Sequence, residues 1–233
     1  MVSLPFHDRD DAARQLAAAL VHHRGNQPVV LAIPRGAVPM GRLVADALEG
    51  ELDVVLVRKL GAPYDPEFAI GAVDEYGEVT RRGHAALAGA SEAYVQREAQ
   101  RQLELIRQRR AHYRPGQPPI PLVGRTVIVL DDGLATGATM LAALKAVRMQ
   151  GPSWLVCAVP VAAQDSLAQV APFADEVVCL ARPWPFLSVG QHYHDFAGIS
   201  DAQVVEVLAR PAAAATAAQR EVGGAGGGVG ASR

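Results

Sequence analysis

Val127-Ile128-Val129-Leu130-Asp131-Asp132-Gly133-Leu134-Ala135-Thr136-Gly137-Ala138-Thr139-Met140 decides the fold. Val127 to Leu130 is an unbroken, β-branched-rich apolar run, the pattern of a strand buried on both faces of a parallel sheet. Asp131 and Asp132 follow at its C-terminal end, the edge where open α/β sheets place their ligands. Residues 133–139 form a turn of mostly small residues, and Met140 to Val147 has the pattern of a helix. Such a turn presents free backbone N–H groups and the positive end of a helix dipole, which together suit a phosphate. The hydroxyls of Thr136 and Thr139 add donors. Two carboxylates beside a phosphate nest conflict unless they address something else, namely sugar hydroxyls and a divalent cation. A sugar phosphate carrying Mg²⁺ satisfies both halves of the motif.

Outward from this stretch the same arrangement recurs. Pro28 to Ile33 reads as a second buried strand, followed by Pro34-Arg35-Gly36-Ala37-Val38-Pro39 and a helix over Met40–Leu48. Arg35 supplies positive charge there, and Gly36 permits close backbone approach to a ligand. Leu52 to Val57 reads as a third buried strand, with Arg58 and Lys59 at its C-terminal end. After the central helix, Trp154–Val159 and Glu176–Leu180 read as further strands, with Ser166–Val170 in a short helix between them. The β-α-β-α alternation from Pro28 to Leu180 predicts an α/β, doubly wound parallel sheet.

The flanking segments are more varied. Ala13, Leu16, Ala17, Leu20 and Val21 have helical spacing within Asp10–His23, with Gly25 as the stop. His22 and His23 are expected at the surface, at a helix end where positive charge suits the dipole. Glu67–Val73 and Glu78–Thr80 suggest a hairpin around Asp74–Gly77. Ser91 to Tyr113 is the longest helical pattern, capped by Ser91, with Glu92 in its first turn. Arg97, Arg101, Arg107, Arg109, Arg110 and Arg114 make it basic, and a solvated face laced with Glu92, Glu98 and Glu104 is expected. Trp184 and Phe186 lie in a proline-held loop, where they would either stack on a flat base or plug an edge of the core. His192, His194 and Asp195 have no further cluster at ligand spacing, which disfavours a metal centre. Asp201–Leu208 reads as a last helix. Residues 211–233 are Ala/Gly-rich, and such a composition is expected to remain disordered.

The string from Val127 to Thr139 resembles the signature of the type I phosphoribosyltransferases: four apolar residues, an acidic pair, a few small or apolar residues, then Thr-Gly-x-Thr. Gly133 stands where an apolar residue is usual, a change expected to loosen the turn, and Ala138 stands where Gly is common. Arg35-Gly36 resembles the family's pyrophosphate loop, and the segment after Trp184 resembles the tail of an uncharacterised group within the family. The resemblance implies a type I phosphoribosyltransferase sheet with a small hood and a long helical insertion. It divides the chain into a domain over residues 1–210, with the insertion at about 62–120 and hood elements near 1–25 and 182–209, followed by the tail. It also implies transfer of a 5-phosphoribosyl group from phosphoribosyl pyrophosphate to a nitrogen nucleophile, with Mg²⁺ and release of pyrophosphate. By that resemblance Ala135, Thr136, Gly137, Ala138 and Thr139 would hold the 5-phosphate. Asp131 and Asp132 would hold the ribose hydroxyls and orient Mg²⁺, mostly indirectly. Arg35, Gly36 and Lys59, supported by Arg58, would hold the pyrophosphate, and Trp184 and Phe186 would flank an unidentified small-molecule acceptor. A mobile segment in the hairpin region would close over the site. Two other readings remain open: a regulatory protein that binds phosphoribosyl pyrophosphate or a nucleotide without transfer, and a hydrolase acting on a phosphorylated sugar or nucleotide.

Bulk properties narrow the field. The chain has 233 residues, 50% of them hydrophobic and 20% charged, enough for one domain with a full core. A net charge of −2 gives no general electrostatic attraction to nucleic acid. There is no apolar run of membrane-spanning length, and Met1–Asp10 has early acids and no signal-type core. Cys157 and Cys179 each lie in an apolar run and are expected as buried free thiols. No Gly-x-x-x-x-Gly-Lys-[Ser/Thr] loop is present, which disfavours a P-loop ATPase. A cytoplasmic protein is the simplest reading, and a homodimer follows from family habit.

Overall fold

Alternation along the strands divides the interior. Val30 and Ala32, Ile128 and Leu130, and Val156 and Ala158 point to one side of a sheet. Val29 and Leu31, Val127 and Val129, and Leu155 and Cys157 point to the other. Both faces must therefore be covered, and a parallel sheet between two helical layers is the arrangement that covers them. The computed structural model, which describes residues 4–81 and 89–211, has this architecture. The expected tail, but for Pro211, lies outside the described residues.

The main sheet has five parallel strands: β1 (Val29–Ala32), β2 (Glu51–Val54), β6 (Thr126–Leu130), β7 (Trp154–Val161) and β8 (Glu176–Ala181), in the order β2-β1-β6-β7-β8. Register runs Val30↔Leu52 and Val30↔Ile128, so the loops after β1 and β6 emerge side by side. One helical layer holds α1 (Arg9–Ala19), α2 (Ala37–Ala47) and α6 (Asp201–Ala209); the other holds α4 (Ala138–Met149) and α5 (Gln164–Val170). Cys157 and Cys179 are free thiols, Cys157 buried and Cys179 half-buried.

Between β2 and β6 the chain builds a separate antiparallel sheet, β3 (Val57–Ala62), β4 (Asp65–Asp74) and β5 (Val79–Arg81), backed by α3 (Glu92–Tyr113). The hairpin and the Ser91-capped helix match their expected positions, with Ser91 accepting from Tyr94 N–H. The third strand does not run through to Val57. Among the described residues β2 is an edge strand paired with β1, and that pairing ends at Ala32 with Val54. The ladder therefore stops, and Val57 begins a new strand paired with Asp74.

The basic face of α3 is also not wholly solvated. Arg110 and Arg114 reach Asp53 in β2, which is 1% exposed; Arg110 donates to both carboxylate oxygens at 2.9 and 2.8 Å, and Arg114 lies 3.1 Å away. A carboxylate inside an apolar strand requires such partners, because an unpaired buried charge is expensive. Arg101 keeps the expected surface character, paired with Glu98. Among the described residues no helix is long and apolar enough to cross a membrane.

Candidate active site at the carboxyl edge of the sheet

The centre of the site is the end of β6. Asp131 and Asp132 leave the strand side by side, each half-buried, and Asp131 accepts the N–H of Asp132 at 2.9 Å. Their environments then diverge. Asp132 faces α1, where Arg9 places Nε and Nη2 each 2.9 Å from Oδ2. Arg9 is itself fixed: Nη1 donates to Ala197 O at 2.7 Å, and the guanidinium lies 3.7 Å from the centre of the Phe196 ring. The Tyr193 hydroxyl donates to the backbone carbonyl of Asp132 at 2.5 Å. Among the described residues, Asp131 has no cation in contact with its carboxylate.

This asymmetry has an electrostatic consequence. Burial, reinforced by the neighbouring Asp132 charge, pushes Asp131 well above the usual carboxylate range, against the pull of the Asp132 N–H and of Arg9. Burial raises Asp132 as well, opposed by Arg9. Two crowded carboxylates therefore share one guanidinium, and the pair lacks one positive charge.

Gly36, in the loop after β1, meets this pair directly. A Cβ on Gly36 would lie 2.0 Å from Asp132 Oδ2 and 3.1 Å from Arg9 Nε, so only glycine lets the two loops touch. Arg35 beside it is exposed, and its charge is felt at Asp201 and Tyr113. The Pro34–Arg35 peptide is cis.

After the carboxylates, the turn is pinned from below and open above. Leu134 N–H donates to Val161 O and Ala163 N–H to Leu134 O, both at 2.9 Å, while Ser166 Oγ donates to Ala135 O. Gly137 caps α4 with φ +72°, and no side chain caps the helix. Ala135, Thr136 and Thr139 are exposed around its first turn, which leaves the N–H groups of that turn facing outward. Gly133 does not loosen the turn. A Cβ there would lie 2.4 Å from Val189 Cγ1 and 3.1 Å from Val161, so the missing side chain is the seat of Val189.

Val189 belongs to a cover made from both ends of the chain. Phe6 N–H donates to His192 O and His194 N–H to Phe6 O, both at 2.8 Å, and Asp195 N–H donates to His7 O at 2.9 Å. His192 is buried and stacks on Phe186 at 5.0 Å, while His194 and Asp195 are exposed, so the 192–195 cluster packs and makes turns. Phe186 closes the edge of the core, whereas Trp184 is 90% exposed.

Arg58 and Lys59 lie elsewhere than the sequence suggested. They are inside β3, not at the carboxyl end of a central strand, because the chain leaves the main sheet at Val54. Arg58 Nε donates to Gln102 Oε1 at 2.5 Å. Both residues line a cavity of about 370 Å³ between β3 and α3, together with Tyr94, Arg101 and Arg109. Arg9 escaped the sequence reading. Arg9 left a signal, since it sits three and four residues before Ala12 and Ala13 on the buried stripe of α1. A charge on such a stripe must have a partner. Val189 and Tyr193 lie in the segment after Trp184 that resembles the family tail; what the sequence did not show is their contacts, with Gly133 and with the Asp132 carbonyl.

The family model described as the phosphoribosyl transferase domain matches residues 6–186. A protein of Mycobacterium tuberculosis (strain H37Rv), named as a candidate phosphoribosyl transferase, is 45% identical over 211 residues. That match covers 88% of this chain and 46% of the relative, so the chain spans about half the length of the curated protein. The crystal structure of TT1426 from Thermus thermophilus superposes with a TM-score of 0.78 at 45% identity, covering 88% of this chain and 98% of that one. A hypoxanthine phosphoribosyltransferase from Staphylococcus aureus is similar at 14% identity and a TM-score of 0.45, covering 77% and 76% of the two chains. With the acidic pair, the open helix terminus and the matched span in agreement, the chain belongs to the phosphoribosyltransferase family and has the type I phosphoribosyltransferase fold.

Proposed function

We propose that this chain transfers a 5-phosphoribosyl group from phosphoribosyl pyrophosphate to a nitrogen nucleophile of the nucleobase type. The observation that carries the reading is the juxtaposition at the end of β6: two carboxylates followed, within one turn, by the uncapped first turn of α4. Few ligands other than a sugar phosphate need hydroxyl acceptors and an anion nest at that spacing.

In this account residues 135–139 hold the 5-phosphate, with hydroxyl donors from Thr136 and Thr139. Asp131, the carboxylate without a cation, accepts from the ribose hydroxyls. Asp132 is held by Arg9 and contributes negative charge to the ring. The donor set fits Mg²⁺, since a half-buried carboxylate pair short of one positive charge suits a hard cation; Asp131 would be its principal protein contact, and the ion would neutralise pyrophosphate charge. The C1–O bond to pyrophosphate breaks, the C1–N bond forms, and the proton of the nitrogen passes to solvent. The transition state has oxocarbenium character, so positioning and negative charge beside the ring matter more than a strong base. Arg35 stands at the neighbouring loop to meet the leaving pyrophosphate. Lys59 and Arg58 line the cavity between β3 and α3, and Arg58 also faces Tyr113 and Asp201, where the charge of Arg35 is felt. Trp184, with its ring free, is the aromatic available to an acceptor. A cytoplasmic location accords with this substrate.

Pyrophosphate release, assayed with phosphoribosyl pyrophosphate, Mg²⁺ and a panel of purines, pyrimidines and related heterocycles, tests the proposal. Base-dependent release supports it. Tight ligand binding with no release for any base would transfer support to a regulatory role. Release that needs only water would indicate a hydrolase.

A further inference from the structure

At the opposite end of the sheet, where the strands begin, three ligand-type side chains converge. His22 and His23 occupy a short 3₁₀ turn, Val21–His23, just after α1, and Glu176 is the first residue of β8. His22 Nε2 lies 3.0 Å from Glu176 Oε1, and His23 Nε2 lies 3.0 Å from Oε2. The two imidazole rings are 4.1 Å apart, and one ligand atom from each residue falls within 4.8 Å of the others. His23 is not the surface residue that the sequence suggested: its side chain is 9% exposed, whereas that of His22 is 53% exposed.

Two neighbouring histidines aimed at one carboxylate are more than a hydrogen-bond pattern requires, since a surface glutamate is satisfied by water. We propose that His22, His23 and Glu176 form a binding site for one zinc-class divalent ion. At metal–ligand lengths of roughly 2.0–2.1 Å, tetrahedral geometry sets adjacent donor atoms roughly 3.3 Å apart. The two histidine–carboxylate separations stand at 3.0 Å, each to its own oxygen of Glu176, and the donor set as a whole lies within 4.8 Å, so side-chain rotation is enough to bring one donor from each residue around a single ion. Two imidazoles and a carboxylate favour Zn²⁺, Co²⁺ or Ni²⁺ over Mg²⁺ or Ca²⁺. The Trp154 indole N–H donates to Glu176 Oε2 at 3.3 Å, the kind of outer hydrogen bond that orients a ligating carboxylate. The exposed side at His22 leaves a fourth position for water. The ion would tie the end of α1 to the outer strand, far from the Asp131 edge, so its role is structural rather than catalytic.

The test is calorimetric titration of Zn²⁺ into the chelator-treated full chain, with Co²⁺ absorption and Ni²⁺ quenching of Trp154 fluorescence in a Trp184→Phe background. The expected result is one equivalent bound at micromolar affinity or tighter, a tetrahedral Co²⁺ spectrum, and quenching that follows the same isotherm. Glu176→Gln and His22→Ala should each weaken binding roughly tenfold or more, while Asp131→Asn leaves it unchanged. His22 is the fold-safe position because its ring is half in solvent. Absence of stoichiometric binding, or binding that survives both variants, or binding lost in Asp131→Asn, overturns the proposal.

Discussion

Arg9 holds Asp132 through two nitrogens on a single oxygen, Nε and Nη2 each 2.9 Å from Oδ2, although 123 residues separate the pair in sequence. The guanidinium is 12% exposed and the carboxylate 16%, so water does little to screen them. Removing one partner of such a pair leaves the other charge stranded. Arg9→Ala is expected to cost about 3–5 kcal/mol of stability. Asp132→Asn should cost much less in the Arg9→Ala background than in the wild type. A double-mutant cycle by urea unfolding measures the difference, and additive effects would contradict the pairing.

Gly36 transmits this arrangement to the neighbouring loop. A methyl group at Gly36 must displace Asp132 Oδ2, which it would otherwise approach to 2.0 Å. Gly36→Ala is therefore expected to weaken phosphoribosyl pyrophosphate binding roughly tenfold or more, the reach of a misplacement of about 1 Å. Circular dichroism and the melting curve should show a folded protein. Unchanged affinity in that variant would mean that Asp132 can move without consequence.

The contact between Gly133 and Val189 yields a compensation experiment. Gly133→Ala overpacks the turn against Val189 and is expected to cost about 1–3 kcal/mol. Shortening the intruding partner should relieve it, so Gly133→Ala/Val189→Ala should melt higher than Gly133→Ala alone. A lower melting temperature for the double variant would show that the two positions do not pack as described.

Glu75 makes stability depend on pH. Burial pushes its pKa up to about 7, against the attraction of Arg110, whose stronger hydrogen bonds go to Asp53. The folded state thus retains a proton that the unfolded state releases near the ordinary glutamate value. Stability from this group is present in full below that value and is lost as pH rises toward 7, by on the order of 1–3 kcal/mol. Glu75→Gln should flatten this part of the profile between about pH 4.5 and 7, as read from urea midpoints. A wild type whose stability rises through that window while the variant's does not would contradict the assignment.

Much of the fold was legible because its signals are local. The apolar run at 127–130 with its acidic pair, the Arg35-Gly36 loop and the Ser91 cap each depend on a few adjacent residues. Two misreadings share another cause. Whether Leu52–Val57 stays one strand depends on the length of its neighbour β1, and whether Arg110 faces water depends on Asp53, 57 residues away. Gly133 shows the same limit at the site: it departs from the usual signature, and the reason lies in Val189, contributed by the far end of the chain.

Whether the end of β6 binds a phosphorylated ribose is measured most directly by calorimetric titration of phosphoribosyl pyrophosphate with Mg²⁺. The comparison is wild type against Asp131→Asn, because among the described residues Asp131 has no ion pair to lose and the variant should fold normally. Micromolar-range binding to the wild type is expected, with a loss of roughly tenfold or more in the variant, the scale of one hydrogen-bonding charge. No binding to folded wild type, or equal binding to both proteins, would contradict a phosphoribosyl site at the end of β6.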